Sequence, residues 1–214
     1  NGPSSRPALS GDGRFVAFTT AATNLVIHMG VHPRHQVGGT EAVIENLATG
    51  VVSLLSFTSS SAETAVTGDS FITGPDALST DGSMAVFGTD ADAGLFDSTI
   101  TSDQNAGTDL VRRNVNTGDG RVVTRAKAAP TSTCNKADPS TASSPWGAID
   151  DAGDVVFSTT CDDLISGYSS DPQLAEVFQS DGTTATLLSH YAGSTDPVRE
   201  PDVNTLHPSV SVSG

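Results

Sequence analysis

The strongest constraint on this chain is that it repeats itself. The run Ala8-Leu9-Ser10-Gly11-Asp12-Gly13-Arg14-Phe15-Val16-Ala17-Phe18 lies without a gap over Ala77-Leu78-Ser79-Thr80-Asp81-Gly82-Ser83-Met84-Ala85-Val86-Phe87. A third copy, one residue shorter after its glycine, reads Ala148-Ile149-Asp150-Asp151-Ala152-Gly153-Asp154-Val155-Val156-Phe157. A fourth opens at His207-Pro208-Ser209-Val210-Ser211-Val212-Ser213-Gly214. The second half of each unit recurs as well. Glu41-Ala42-Val43-Ile44-Glu45-Asn46 followed by Thr49-Gly50 matches Asp109-Leu110-Val111-Arg112-Arg113-Asn114 followed by Thr117-Gly118, and then Glu176-Val177-Phe178-Gln179-Ser180 before Asp181-Gly182. A period of this kind decides the architecture before any single motif does.

Within each unit the apolar runs are short, β-branched or aromatic, and bounded by Gly, Asp, Asn, Ser or Pro, which is the pattern of strands joined by tight turns. The Asp-Gly and Thr-Gly pairs fall where hairpins need a positive φ, a conformation glycine adopts without steric cost. Each unit therefore reads as four antiparallel strands, and such units in series are propeller blades. The expected fold is all-β: a β-propeller segment of three four-stranded blades at 6–60, 72–128 and 143–190, with the first strand of a fourth at 207–214. The whole of 1–214 is a single segment of a larger, six- to eight-bladed ring.

The motif Pro7-Ala8-Leu9-Ser10-Gly11-Asp12-Gly13, continuing to Ala17-Phe18, resembles the Pro-x-x-Ser-x-Asp-Gly repeat of TolB-like, or WD40-like, β-propellers. Asn24-Leu25-Val26 and the spacing from Asp103 to Gly118 resemble the extracellular bacterial branch of that family. The resemblance implies a fold more than a function, because such propellers serve as scaffolds, binding platforms and occasionally parts of enzymes. It also implies that Cys134 and Cys161, the two cysteines, form a disulfide and that the chain works outside the cytoplasm; two separate free thiols are the alternative.

Three blades and a strand do not close a ring. A chain that stops at Gly214 in mid-hairpin reads as one cut from something longer, so another chain or missing sequence is expected to complete the propeller. A second copy contributing strand 209–212 is the alternative.

Charge narrows the partners. The net charge is −15, which repels phosphate and argues against nucleic acid. No apolar run approaches the ~20 residues that cross a bilayer, so no membrane insertion is expected. Within the second long loop, Asp97, Asp103, Asn105 and Asp109 offer oxygens with no Lys or Arg among them, a set suited to Ca²⁺; a solvated acidic loop is the competing reading. His28, His32 and His35 lie in the matching loop of the first unit, but Pro33 breaks the helix that i,i+4 ligation needs. Tyr168, Trp146 and few other aromatics are available for stacking on a glycan, so carbohydrate is a minor branch among the partners. No nucleophile elbow, His-Glu-x-x-His or phosphate loop is present in the sequence. The expectation is a non-catalytic extracellular binding or assembly module; the alternative is part of a propeller hydrolase or lyase with its active site in the central funnel.

Overall fold

The computed structural model describes residues 1–25, 39–58, 61–104, 107–127, 129, 131–134, 146–161, 163–166, 175–189 and 208–211. Strand-forming side chains and glycine-led turns alternate along it, and the strands collect into three four-stranded antiparallel sheets. The first holds β1 (Ser4–Leu9), β2 (Phe15–Thr20), β3 (Glu41–Asn46) and β4 (Val51–Leu54). A two-stranded hairpin, β5 (Phe57–Thr58) and β6 (Ser61–Ala65), follows it. The second sheet holds β7 (Ser70–Ile72), β8 (Met84–Thr89), β9 (Asp109–Asn114) and β10 (Gly120–Val122). The third holds β11 (Gly147–Ile149), β12 (Val155–Thr159), β13 (Glu176–Ser180) and β14 (Ala185–Leu187). In every sheet the spatial order follows the chain order, as in the blades of a β-propeller.

The three registers superpose residue for residue. Leu9↔Val16, Leu78↔Ala85 and Ile149↔Val155 are one pair, and Val16↔Glu45, Ala85↔Arg113 and Val155↔Ser180 another. Turn chemistry explains the match. Ser10 Oγ accepts from the Phe15 amide and donates to Asp12, and Ser79 does the same with Met84 and Asp81. The third copy shortens this turn by one residue. There Asp150 Oδ1 takes the serine's place and accepts from the Asp154 amide at 2.8 Å, so the hairpin closes with its register intact. Gly13, Gly82 and Gly153 sit at φ 71°, 71° and 90°, the left-handed region the turn requires.

Three boundaries differ from the sequence reading. The second blade opens at Ser70 rather than 72, because its first strand is split: β7 pairs with Phe87–Thr89, the chain bulges through 73–76, and Leu78 rejoins at Ala85. The first blade opens at Ser4 and carries a smaller bulge between Ser5 and Ala8, where Arg6 takes φ 53°. Of the expected fourth-blade strand at 207–214, residues 208–211 are described and form no strand. No helix among the described residues is long and apolar enough to cross a membrane.

The core lies between successive sheets. Alternation along each strand gives every blade two faces. The trailing face of the first blade, with Phe15, Ala17 and Thr19, packs on the second; the Ile72 amide donates to Thr19 Oγ1 at 2.9 Å. The leading face of the second blade, with Ala85, Phe87 and Val111, meets it. Val86 and Leu110 on the opposite side lie against Gly147 of the third blade.

Candidate functional site

The acidic loop is not the uncompensated cluster its own residues suggest. Asp97 is buried, and its carboxylate receives Arg125 Nη2, Arg121 Nη1 at 3.3 Å, the Val122 amide at 3.2 Å, and both the amide and the hydroxyl of Thr99. Burial alone pushes the Asp97 carboxyl up; the Thr99 bonds, the Arg125 charge and the Val122 amide outweigh it and hold the group below the usual carboxylate value. The arginines come from β10 and its exit, more than twenty residues along the chain, so inspection of the loop window misses them. Asp103 accepts from the Thr133 hydroxyl at 3.2 Å and the Ala93 amide at 3.4 Å. Asp109, buried in β9, accepts from Thr124 Oγ1 at 2.7 Å. Asn105 lies outside the described residues, as do His28, His32, His35 and Tyr168. Among the described residues no three His, Cys, Asp or Glu gather as a metal-holding group. Trp146 is half-buried, with its ring against Gly74, where a Cβ would stand 2.6 Å from Cζ2.

Cys134 and Cys161 form a disulfide with Cα atoms 6.0 Å apart. It ties the segment leaving the second blade to the end of β12 in the third. That segment also organises the acidic loop: Ser102 bridges Ser132, the Thr101 amide donates to Thr131 O, and the Gln104 amide donates to Thr133 Oγ1. The loop and the disulfide are therefore one structural unit.

The seam between the first and second blades is clamped by Arg113. Its side chain is wholly buried; Nη2 donates to Phe57 O at 2.8 Å and Nη1 to Gly118 O at 2.7 Å. The guanidinium lies 4.0 Å above the Phe57 ring, with Phe87 and Phe96 at 5.8 and 5.9 Å. Burial pushes its pKa down to about 10, against the opposing pull of Asp119. Phe57 and Arg113 both line a cavity of about 240 Å³ at this seam. The corresponding seam between the second and third blades has a cavity of about 130 Å³ lined by Arg125 and Ser180. Backbone bonds fix the equivalence: Leu55, Val123 and Leu188 donate to Ala42, Leu110 and Val177 respectively, so Phe57 and Arg125 hold the same place two residues further on.

At the first blade the leading face has no such neighbour among the described residues. Leu9 is 57% exposed, whereas its counterparts Leu78 and Ile149 are 6% and 4% exposed. Phe18 is only half-buried, against the fully buried Phe87 and Phe157 at the same repeat position. A Cβ on Gly82 would strike the Phe15 ring at 2.5 Å and one on Gly153 would strike Met84 at 2.7 Å, each in the preceding blade; at Gly13 nothing lies within 4 Å. The open face presents Leu9, Val16, Phe18 and Val52 around the buried pair Val43 and Leu54.

Neither a protein-family model nor a curated protein matches the chain. Among solved structures it is similar to TolB from Acinetobacter baumannii, with a TM-score of 0.43 and 11% sequence identity over 89% of this chain. The chain spans 33% of that protein.

Proposed function

We propose that this chain is a non-catalytic binding and assembly module, an arc of blades within a larger β-propeller that further blades complete, working in an oxidising compartment outside the cytoplasm. The observation that carries the reading is the contrast at one repeated position: Leu9 is 57% exposed where Leu78 and Ile149 are almost wholly enclosed. A sheet face whose pattern is used twice within the molecule to pack on a preceding blade is built to receive one, and repeat arrays need their terminal faces covered. The disulfide supports the location, since such links persist in oxidising compartments and are rare in the cytosol. Intact and native mass of the protein as isolated from its producing cells test this together. An intact or native mass well above 21.8 kDa is expected. A stable 21.8 kDa monomer that is soluble and folded overturns the reading.

A further inference from the structure

We infer that the cavity between the first and second blades binds a short aliphatic carboxylate, with Arg113 supplying the opposite charge. These two blades form the site alone, so the inference goes beyond the assembly reading and does not depend on how the ring is completed. It starts from an imbalance of charge. Arg14, Arg121 and Arg125 each have an aspartate partner, whereas Arg113, which is wholly buried, has none among the described residues. Of its N–H donors, one on Nη1 goes to Gly118 O and one on Nη2 to Phe57 O, while the buried Nε has no hydrogen-bond partner. The rings of Phe57, Phe87 and Phe96 stand around the cation but bring no net charge to neutralise it. Burying an unpaired charge is costly, which is why the Arg113 pKa falls to about 10.

Arg113 lines the cavity of about 240 Å³ at this seam. That is below the roughly 300–1,000 Å³ of pockets for drug-sized molecules, so the occupant is short. Ile44, Leu54, Leu55 and Val115 form an apolar wall, and the exposed Ser53 and Thr117 a polar rim. No Asp or Glu lines the cavity, in a chain that carries 25 of them. One buried cation therefore attracts an anion that no lining carboxylate repels. The apolar wall selects an anion with a hydrocarbon body over a fully hydrated one. The carboxylate accepts a charge-assisted bond from Arg113 Nε, and its tail removes the wall from water. Because Arg113 has no exposed surface, the half-buried Phe57 ring, 4.0 Å above it, turns aside to admit the ligand; the Phe57 backbone bond to Arg113 is kept.

Calorimetry and arginine Nε–Hε spectra of the dialysed protein read the inference. The probes are acetate, propionate, butyrate and pentanoate at constant ionic strength, with butyramide and inorganic phosphate as controls. Affinity is expected to rise by up to about fourfold per added methylene until the cavity is filled, and the Arg113 Nε–Hε resonance to move as the acid binds. Butyramide and phosphate should leave that resonance in place. Arg113→Lys keeps the charge but loses the fork; it assigns the resonance and should weaken butyrate by about tenfold or more. Ser53→Trp leaves Arg113 untouched, fills the mouth of the cavity and should weaken butyrate as much with the fold intact. An Arg113 resonance unmoved by butyrate at tens of millimolar, or moved equally by butyramide or phosphate, overturns the inference. Full butyrate affinity in Ser53→Trp does the same. None of these results bears on the mass that tests the assembly reading.

Discussion

Asp97 offers the sharpest test of the electrostatics, through the substitution Asp97→Asn. The carboxylate is buried and the Arg125 side chain is only 14% exposed, so removing the negative charge strands a guanidinium in low-dielectric surroundings. Breaking a buried pair from one side costs about 3–5 kcal/mol. Arg121 is 35% exposed and adds little, about 0–1 kcal/mol, because water screens it. Asparagine has one acceptor oxygen where Thr99 uses Oδ1 and Val122 uses Oδ2, so its NH2 must face one of these donors and the expected loss at neutral pH is about 3–5 kcal/mol. Urea melts of both proteins across pH give the signature. Because the folded carboxyl titrates below its ordinary value, its contribution is full above the ordinary carboxylate range and is lost as pH falls through that range towards the lowered value. The wild type should therefore converge on Asp97→Asn in acid and stand clear of it at pH 7. A gap below about 1 kcal/mol at neutral pH, or one that does not change with pH, refutes the argument. A gap that opens only with added calcium makes Asp97 a metal ligand instead.

Phe87→Ala should cost about 3–5 kcal/mol, since Phe87 is fully enclosed and meets Phe96 edge-on at 5.5 Å; Phe18→Ala at the same repeat position should cost under half as much in the uncovered arc, and equal losses in denaturant melts would contradict the open face. Reducing Cys134–Cys161, which are 27 residues apart in sequence, should lower stability by about 3 kcal/mol on the chain-entropy account. Hydrogen exchange should then quicken at 101–104 together with 131–134, and exchange confined to the cysteines' own neighbours would separate loop from disulfide. Asp103, Asn105 and Asp109 remain the calcium proposal: calorimetry with added Ca²⁺ should show heat and a thermal shift that Asp103→Ala abolishes, and silence at millimolar calcium would leave the loop to its protein partners.

What could be read beforehand follows the range of the interactions. Strand positions and turn glycines are local and were legible: Phe15–Phe18, Met84–Phe87 and Val155–Phe157 all lie in strands, and Gly13, Gly82 and Gly153 all take positive φ. The split first strand of the second blade was not legible, because Ser70–Ile72 is placed by distant partners, Phe87–Thr89 across the sheet and Thr19 and Thr40 of the first blade. The neutralisation of Asp97 by Arg121 and Arg125 and the reach of Arg113 to Phe57 depend on how strands and blades meet, and no window of sequence contains both partners. Repeat alignment held one unread signal: Glu45, Arg113 and Ser180 occupy one column with opposite or no charge, and that column proves to be the blade seam.

Each blade also closes the base of its long loop in the same way. Thr20 pairs with Glu41, Thr89 with Asp109 and Thr159 with Glu176 where strands two and three meet. A hydroxyl from the fourth-strand exit pins the next residue: Ser56 Oγ accepts from the Ala42 amide, Thr124 Oγ1 from Leu110 and Ser189 Oγ from Val177. In the first blade this latch fixes the two strand ends, Thr20 and Glu41, where strands two and three meet. Loop-closure entropy grows only with the logarithm of length, about 0.6 kcal/mol per doubling, so a foreign segment inserted between Thr20 and Glu41 should leave the sheet's register undisturbed. The rim of the first blade is thus permissive ground for a new recognition loop, whereas the second blade's loop, with Phe96 and Asp97 buried in the core, is part of its scaffold.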